Sequence, residues 1–354
     1  MMLSIIVLPF LGLIVSPSAT STTDQQVQSK IQAIQQRDNF PPPRETNQHT
    51  HDPSILLVDG IYYLYHIGPN INISTADSMG GPWTYAGPVL NGPSVIPKPQ
   101  DNLTWPWAPS AIEQDGAFYC YYCVSIAGSR DSAIGVATSS SPGPGDWYDH
   151  GVVIQTETGE GSDVSPFTIS NAIDPDPFVT DDGEAYLNYG SYWTGIYQVP
   201  LTDDMLAPKN TLDLDTRHLI GPSNGGTNQL EGSFLSYHDG FYYLWFSQGA
   251  CCDYDPNNLP APGTEYSIRV GRSESARGPF FDKSGRDLVE GGGELVYGSN
   301  GNAYAPGGQG VVFDGENDIL YYHYLDKTRG WGFWDTWLGY NPLEYSDGWP
   351  VAMP

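Results

Sequence analysis

Basic residues are scarce in this chain. Fourteen lysines and arginines stand against 41 aspartates and glutamates, giving a net charge of −27 over 354 residues. Nucleic acid and anionic lipid both call for clusters of Lys and Arg, so neither partner class fits. An acidic chain of this kind stays soluble in mildly acidic surroundings, where part of its carboxylate charge is titrated away. After the first residues there is no long apolar run, and no long amphipathic helix appears.

Cysteine is also scarce. The four cysteines form two local pairs, Cys120/Cys123 and Cys251/Cys252. Zinc is a poor reading of either. Cys120 and Cys123 lie in an aromatic strand sequence, FYCYYCV, where residues three apart point to opposite faces. The adjacent pair lacks the spacing that closes a tetrahedral site. In an oxidising compartment disulfides are open to them, a vicinal Cys251–Cys252 bridge included, and the connectivity stays undetermined.

What is abundant favours strands and turns: 24 Tyr, 10 Trp and 12 Phe beside 41 Gly and 30 Pro. Residues 1–19 read as a signal peptide, with an apolar run over 3–15 (LSIIVLPFLGLIV) followed by small residues up to Ala19. The run is too short to span a bilayer and contains Pro9, so a secreted, extracellular protein is expected. Secretion gives meaning to two glycosylation sequons, at Asn72 and Asn102. Residues 20–44 read as a flexible, polar, Gln-rich leader, and 45–354 as one folded domain.

That domain repeats itself at a period of roughly sixty residues. Each unit opens with a short polar motif, then a strand, an acidic Gly turn and an aromatic strand. The copies begin at His51 (HDPSILLVDGIYYLYH), Ala108 (APSAIEQDGAFYCYY), Ile173 (IDPDPFVTDDGEAYLNYG), Glu231 (EGSFLSYHDGFYYLWFS) and Ala305 (APGGQGVVFDGENDILYYHY). The Asp-Gly turns between β-rich runs are hairpin signals. Third strands follow in some copies (SAIGVATS, SIRVGRSES), and WTYAGPV, WYDHGVV and GPFFDK are candidate fourth strands. Five such units predict an all-β, five-bladed β-propeller, because radial repetition protects sheet edges. A β-sandwich would not call for five similar units.

Innermost strands of a propeller converge at one end of its channel. Three opening motifs carry a carboxylate there: Asp52, Asp174 and Glu231, each beside apolar neighbours. Burying an ionised carboxylate is costly without partners, so a functional reason is the better explanation. Glycoside hydrolysis needs one carboxyl group protonated to expel the leaving oxygen and a second one ionised. A gap of ~6.5–9.5 Å between them admits a water and gives inversion, and carboxylates from different blades favour that wider gap. Trp105, Trp107 and Trp193 flank these motifs and could stack on sugar rings or pack between blades. His323, in LYYHYLD, reads on its own as a packed side chain more readily than as a metal ligand.

The ordered set HDPS, WAPS, SAIGVATS, NAIDP, GSYWTGI, CC with YSIRVGRS, GGGELVYG, YHYLD and SDGWP resembles glycoside hydrolase family 43, its secreted fungal endo-1,5-α-L-arabinanases in particular. The resemblance runs from His51 to Pro350. It implies that Asp52 is the general base, Glu231 the general acid, and Asp174 the carboxylate that raises and orients that acid. It implies that Trp107, Asn171, Ser191 and Trp193 line the sugar cleft, and that His323 sits near a central calcium or sodium ion. The partner it implies is arabinan, cut internally with inversion, by a protein taken as a monomer by default. The chain departs from many relatives at Ala305-Pro306-Gly307-Gly308, where they carry a histidine, and at its LEGS motif. Rival readings are an exo-acting arabinofuranosidase or β-xylosidase using the same carboxylates, and a lectin-like propeller that binds arabinan without cutting it.

Overall fold

The computed structural model describes residues 40–98, 101–210, 214–222 and 229–354. The signal peptide (1–19), most of the leader and the side chain of Asn102 lie outside the described residues.

Five antiparallel sheets form in chain order. Blade 1 comprises Ser54–Val58, Ile61–His66, Asn72–Ala76 and Thr84–Pro88; blade 2 comprises Trp107–Gln114, Ala117–Val124, Ala133–Ser139 and Tyr148–Gln155. Blade 3 comprises Asp176–Val179, Ala185–Tyr189, Ile196–Pro200 and Arg217–Ile220. Blade 4 comprises Leu230–His238, Phe241–Gln248, Ser267–Ser273 and Glu294–Tyr297; blade 5 is built on Ala303–Phe313, Asp318–Asp326 and Thr336–Ser346. The five-bladed β-propeller expected from the repeat is the fold.

Blade 5 takes its outer strand from the start of the domain. Arg44–His49 pairs with Thr336–Ser346, which joins the two ends of the chain in one sheet. Phe40 and Pro41, read with the polar leader, already touch this body, Phe40 by its ring and Pro41 through its carbonyl, both on Tyr297. The fourth strand of blade 4 is Glu294–Tyr297 rather than GPFFDK, where Phe281 makes only isolated bridges. Pro279 donates no ladder hydrogen bond, which suits a bridge better than a strand.

Asp-Gly turns close the hairpins for a conformational reason. Asp59-Gly60, Asp115-Gly116, Asp239-Gly240 and Asp347-Gly348 all have positive φ at both positions. Two such residues make the turn whose twist matches the flanking strands.

Each seam between neighbouring blades has its own apolar cluster. Trp245, Tyr65, Tyr121, Tyr189 and Tyr297 are fully buried there. Burying one such side chain is worth about 1.5–3 kcal/mol, which makes the seams the main source of rigidity beneath the site. Cys120 and Cys123 are free thiols buried in different seams, one on each face of their strand.

Candidate active site

Each blade begins its innermost strand with one residue in the left-handed conformation: Asp52 (φ 46°), Ala108 (42°), Asp174 (53°), Gly232 (60°) and Gly308 (56°). Together they line a narrow central channel. For a residue with a Cβ this conformation costs roughly 1–2 kcal/mol, and the surrounding blades must hold it in place.

Asp52 and Asp174 occupy equivalent ring positions, as the repeat implied. Glu231 does not. It stands one residue before the ring position, which Gly232 fills, and the pairing register slips between Glu231 and Phe234. Bulges of this kind re-aim side chains. Glu231 is therefore absent from the channel lining and faces the broader cleft above it. In blade 5 the ring residue is Gly308 and not the Ala305 that opens the repeat.

That cleft has a volume of about 650 Å³ and collects all three carboxylates. Trp107, Asn171, Ser191 and Trp193, the four side chains expected around the sugar, line it too. Ser191 Oγ donates to Glu231 Oε2 at 2.8 Å, and Asn171 Oδ1 accepts from Ser132 Oγ at 2.8 Å.

Asp52 lies against two imidazoles. Its backbone N–H donates to His323 Nδ1 at 3.2 Å, which requires that nitrogen to be unprotonated. His323 Nδ1 is 3.6 Å and His51 Nε2 3.8 Å from Asp52 Oδ1. The two rings stack at 4.0 Å. Burial pushes His51 down to about 3 and His323 well below the usual histidine range, so both stay neutral. Burial also raises Asp52, and His323 opposes that rise.

Asp174 Oδ2 accepts the Gly232 N–H at 3.0 Å. Burial first, then the charges of Glu231 and Asp52, hold Asp174 well above the usual carboxylate range. Burial, with the Asp52 charge, brings Glu231 up to about 7, while hydrogen bonds from Ser191 and Tyr266 favour its ionised form. The three acids thus titrate as a group that holds fewer than three negative charges near neutrality. Ser191 and Tyr266 hydrogen-bond to Glu231, whereas burial and the Asp52 charge raise it.

His51, Tyr266 and the Cys251–Cys252 bridge belong to the site but were not singled out from sequence. The two cysteines form a vicinal disulfide on the cleft wall, with Cys252 Sγ 3.6 Å from His51 Nε2. His51 adjoins Asp52 in HDPS, and Tyr266 opens YSIRVGRS after the cysteine pair, motifs that could have found them.

His323 groups with His51 and Cys251, their ligand atoms within 4.8 Å of one another. Calcium takes six to eight oxygen ligands. Asp52 Oδ1, 3.6 Å from His323 Nδ1, is the carboxylate oxygen beside this nitrogen and sulfur set, whose cysteine is already oxidised. Asn72 is half-buried beside Gly68, in a smaller pocket next to the cleft.

A family model described as glycosyl hydrolases family 43 matches residues 46–350. Arabinan endo-1,5-α-L-arabinosidase B of Emericella nidulans is 51% identical over 345 residues, covering 89% of this chain and 86% of that protein. An exo-1,5-α-L-arabinanase from a bovine ruminal metagenomic library superimposes with a TM-score of 0.74 at 28% identity, over 90% of this chain and 100% of that one. Cellvibrio cellulosa α-L-arabinanase, solved with arabinohexaose, gives 0.72 at 26% identity, over 86% and 96% of the two chains.

Proposed function

The chain belongs to glycosyl hydrolases family 43, and on that premise we propose that it hydrolyses internal 1,5-α-L-arabinofuranosidic bonds of arabinan, with inversion. The observation that carries the reading is the meeting of Asp52, Asp174 and Glu231 in one cleft, with Glu231 raised to about 7. A propeller that only bound sugar would have no use for a protonated carboxyl group held against two others. The 51% identical relative bears an endo name, and the neighbour with an exo name is far more distant in sequence. That difference favours internal cleavage.

The roles follow from the electrostatics. Asp52 has a side chain that is 25% exposed, so water can reach it. The neutral imidazoles beside it do not compete for its proton. It removes a proton from a water molecule as the water oxygen bonds to the anomeric carbon. The bond from that carbon to the leaving oxygen breaks on the opposite face. Glu231, protonated below about pH 7, gives its proton to the leaving oxygen. Burial and the negative charge on Asp52 disfavour ionisation of Glu231 until that moment. Asp52 ends protonated and Glu231 ionised, and solvent restores both. General acid and base assistance of this kind is worth about 10²–10⁴-fold each.

Trp107 and Trp193 offer indole faces to the sugar's C–H surfaces, and the cleft leaves room for several units. The signal-peptide pattern of residues 1–19 supports secretion, where an arabinan substrate would be met. Proton NMR of the first minutes of hydrolysis tests the mechanism. A new reducing end that appears first as the β-anomer supports inversion, and an initial α-anomer would sink the assignment of Asp52 as a base.

A further inference from the structure

A second pocket, of about 240 Å³, adjoins the catalytic cleft. Its walls include Trp105, Trp334, His49, Asn72 and Thr336. Trp105 is 39% and Trp334 59% exposed, and their rings meet edge to face at 5.4 Å. The other eight indoles are buried, as at Trp83, Trp147, Trp245 and Trp349, or partly buried. Contiguous apolar surface left bare on a soluble protein marks a place where something binds.

The pocket continues the cleft. His51 and Ile67 line both. Trp107 faces the cleft while Trp105, two residues earlier, faces the pocket; Phe333 and Trp334 divide in the same way, their rings 4.7 Å apart. Two short segments, one before blade 2 and one in blade 5, thus each place an aromatic on either side of the His51 ridge.

We propose that this pocket is an outer subsite that holds one further L-arabinofuranosyl unit of a substrate whose reacting bond lies between Asp52 and Glu231. The proposal rests on the arabinan reading and adds a contact beyond the cleft. The pocket is smaller than the ~300–1,000 Å³ that encloses a whole ligand, which suits one ring of a chain anchored next door. Indole faces fit the C–H surface of a furanose, and His49 and Asn72 give its hydroxyls polar partners. Among the described residues no lysine or arginine lines the pocket, which favours an uncharged occupant over a phosphate or an acidic sugar. One consequence concerns Asn72. A glycan there would fill the subsite, so this sequon stays bare.

Calorimetry on the full-length chain carrying Glu231→Ala tests binding apart from cleavage, with arabinotriose and arabinohexaose as probes. The hexaose binds more tightly than the triose. Adding Trp334→Ala, at an exposed position that leaves the fold intact, weakens the hexaose by about tenfold and leaves the triose unchanged, since one aromatic contact is lost. An equal change for both probes, or none for the hexaose, overturns the subsite while leaving the hydrolase reading in place. Failure of either sugar to bind, with no cleavage by the wild type, overturns both. Mass spectrometry of the secreted protein finds Asn72 unmodified; a glycan on it would also overturn the subsite.

Discussion

Replacing Glu231 by Gln removes a titrating group while keeping its shape and its acceptor oxygen for Ser191. In the folded protein Glu231 is raised from an ordinary 4.5 to about 7. A carboxyl group with a raised folded pKa contributes stability that is fully present below its unfolded pKa. That contribution is lost as pH rises through the folded value, because the native state must then ionise a group it prefers neutral. The shift of roughly 2.5 units, at about 1.4 kcal/mol per unit, makes the loss on the order of 3 kcal/mol. The Gln variant has no such loss. Its stability relative to wild type should therefore rise by about 3 kcal/mol between pH 4 and pH 8, with most of the change between 4.5 and 7. Guanidinium unfolding at a series of pH values measures this difference; contributions from distant groups cancel in the comparison, while those of Asp52 and Asp174, which titrate with Glu231, are part of it. A difference that stays flat across that window would mean Glu231 titrates as an ordinary surface acid, and the case for it as the proton donor would fall.

Three further perturbations probe the neighbours. Asp52→Asn should lower kcat by about 10²–10⁴-fold with little change in KM, since it removes only the base; steady-state kinetics on linear arabinan decides this. Ser191→Ala removes a hydrogen bond that favours ionised Glu231, so the alkaline limb of the kcat/KM profile should move to higher pH. A shift to lower pH would contradict the assignment. Gly308→Ala would bring a Cβ within 2.7 Å of His323 Nδ1 and 2.8 Å of Asp52 Oδ1 at a φ of 56°. We expect a loss of about 1–3 kcal/mol in stability, and a fall of at least about tenfold in kcat, because Asp52 is displaced.

The propeller was legible because its signal is redundant. Five Asp-Gly or related turns, each between alternating β-rich runs, all point to the same unit, and the chain keeps its rhythm through blade 5. Strand ends were less legible where local chemistry is ambiguous. GPFFDK has the aromatic content of a strand, yet Glu294–Tyr297 wins the place through its pairing with Ser267–Ser273. Asp52 and Asp174 could be placed by counting, since each precedes a proline at the same point of the repeat. Glu231 could not be placed so closely, because a bulge shifts it one position and no residue pattern announces that shift. Tyr266 and the cysteine pair reach the cleft through three-dimensional closure. The ion expected at His323 came from resemblance, and the surrounding donors are set by His51 stacking and by a disulfide whose pairing the sequence left open.

The most direct test follows products over time on linear 1,5-α-L-arabinan, with Glu231→Ala alongside. A ladder of oligosaccharides from the wild type within the first minutes, and none from the variant, is the expected result. Arabinose as the sole early product, or an undiminished ladder from Glu231→Ala, would contradict internal cleavage by this acid.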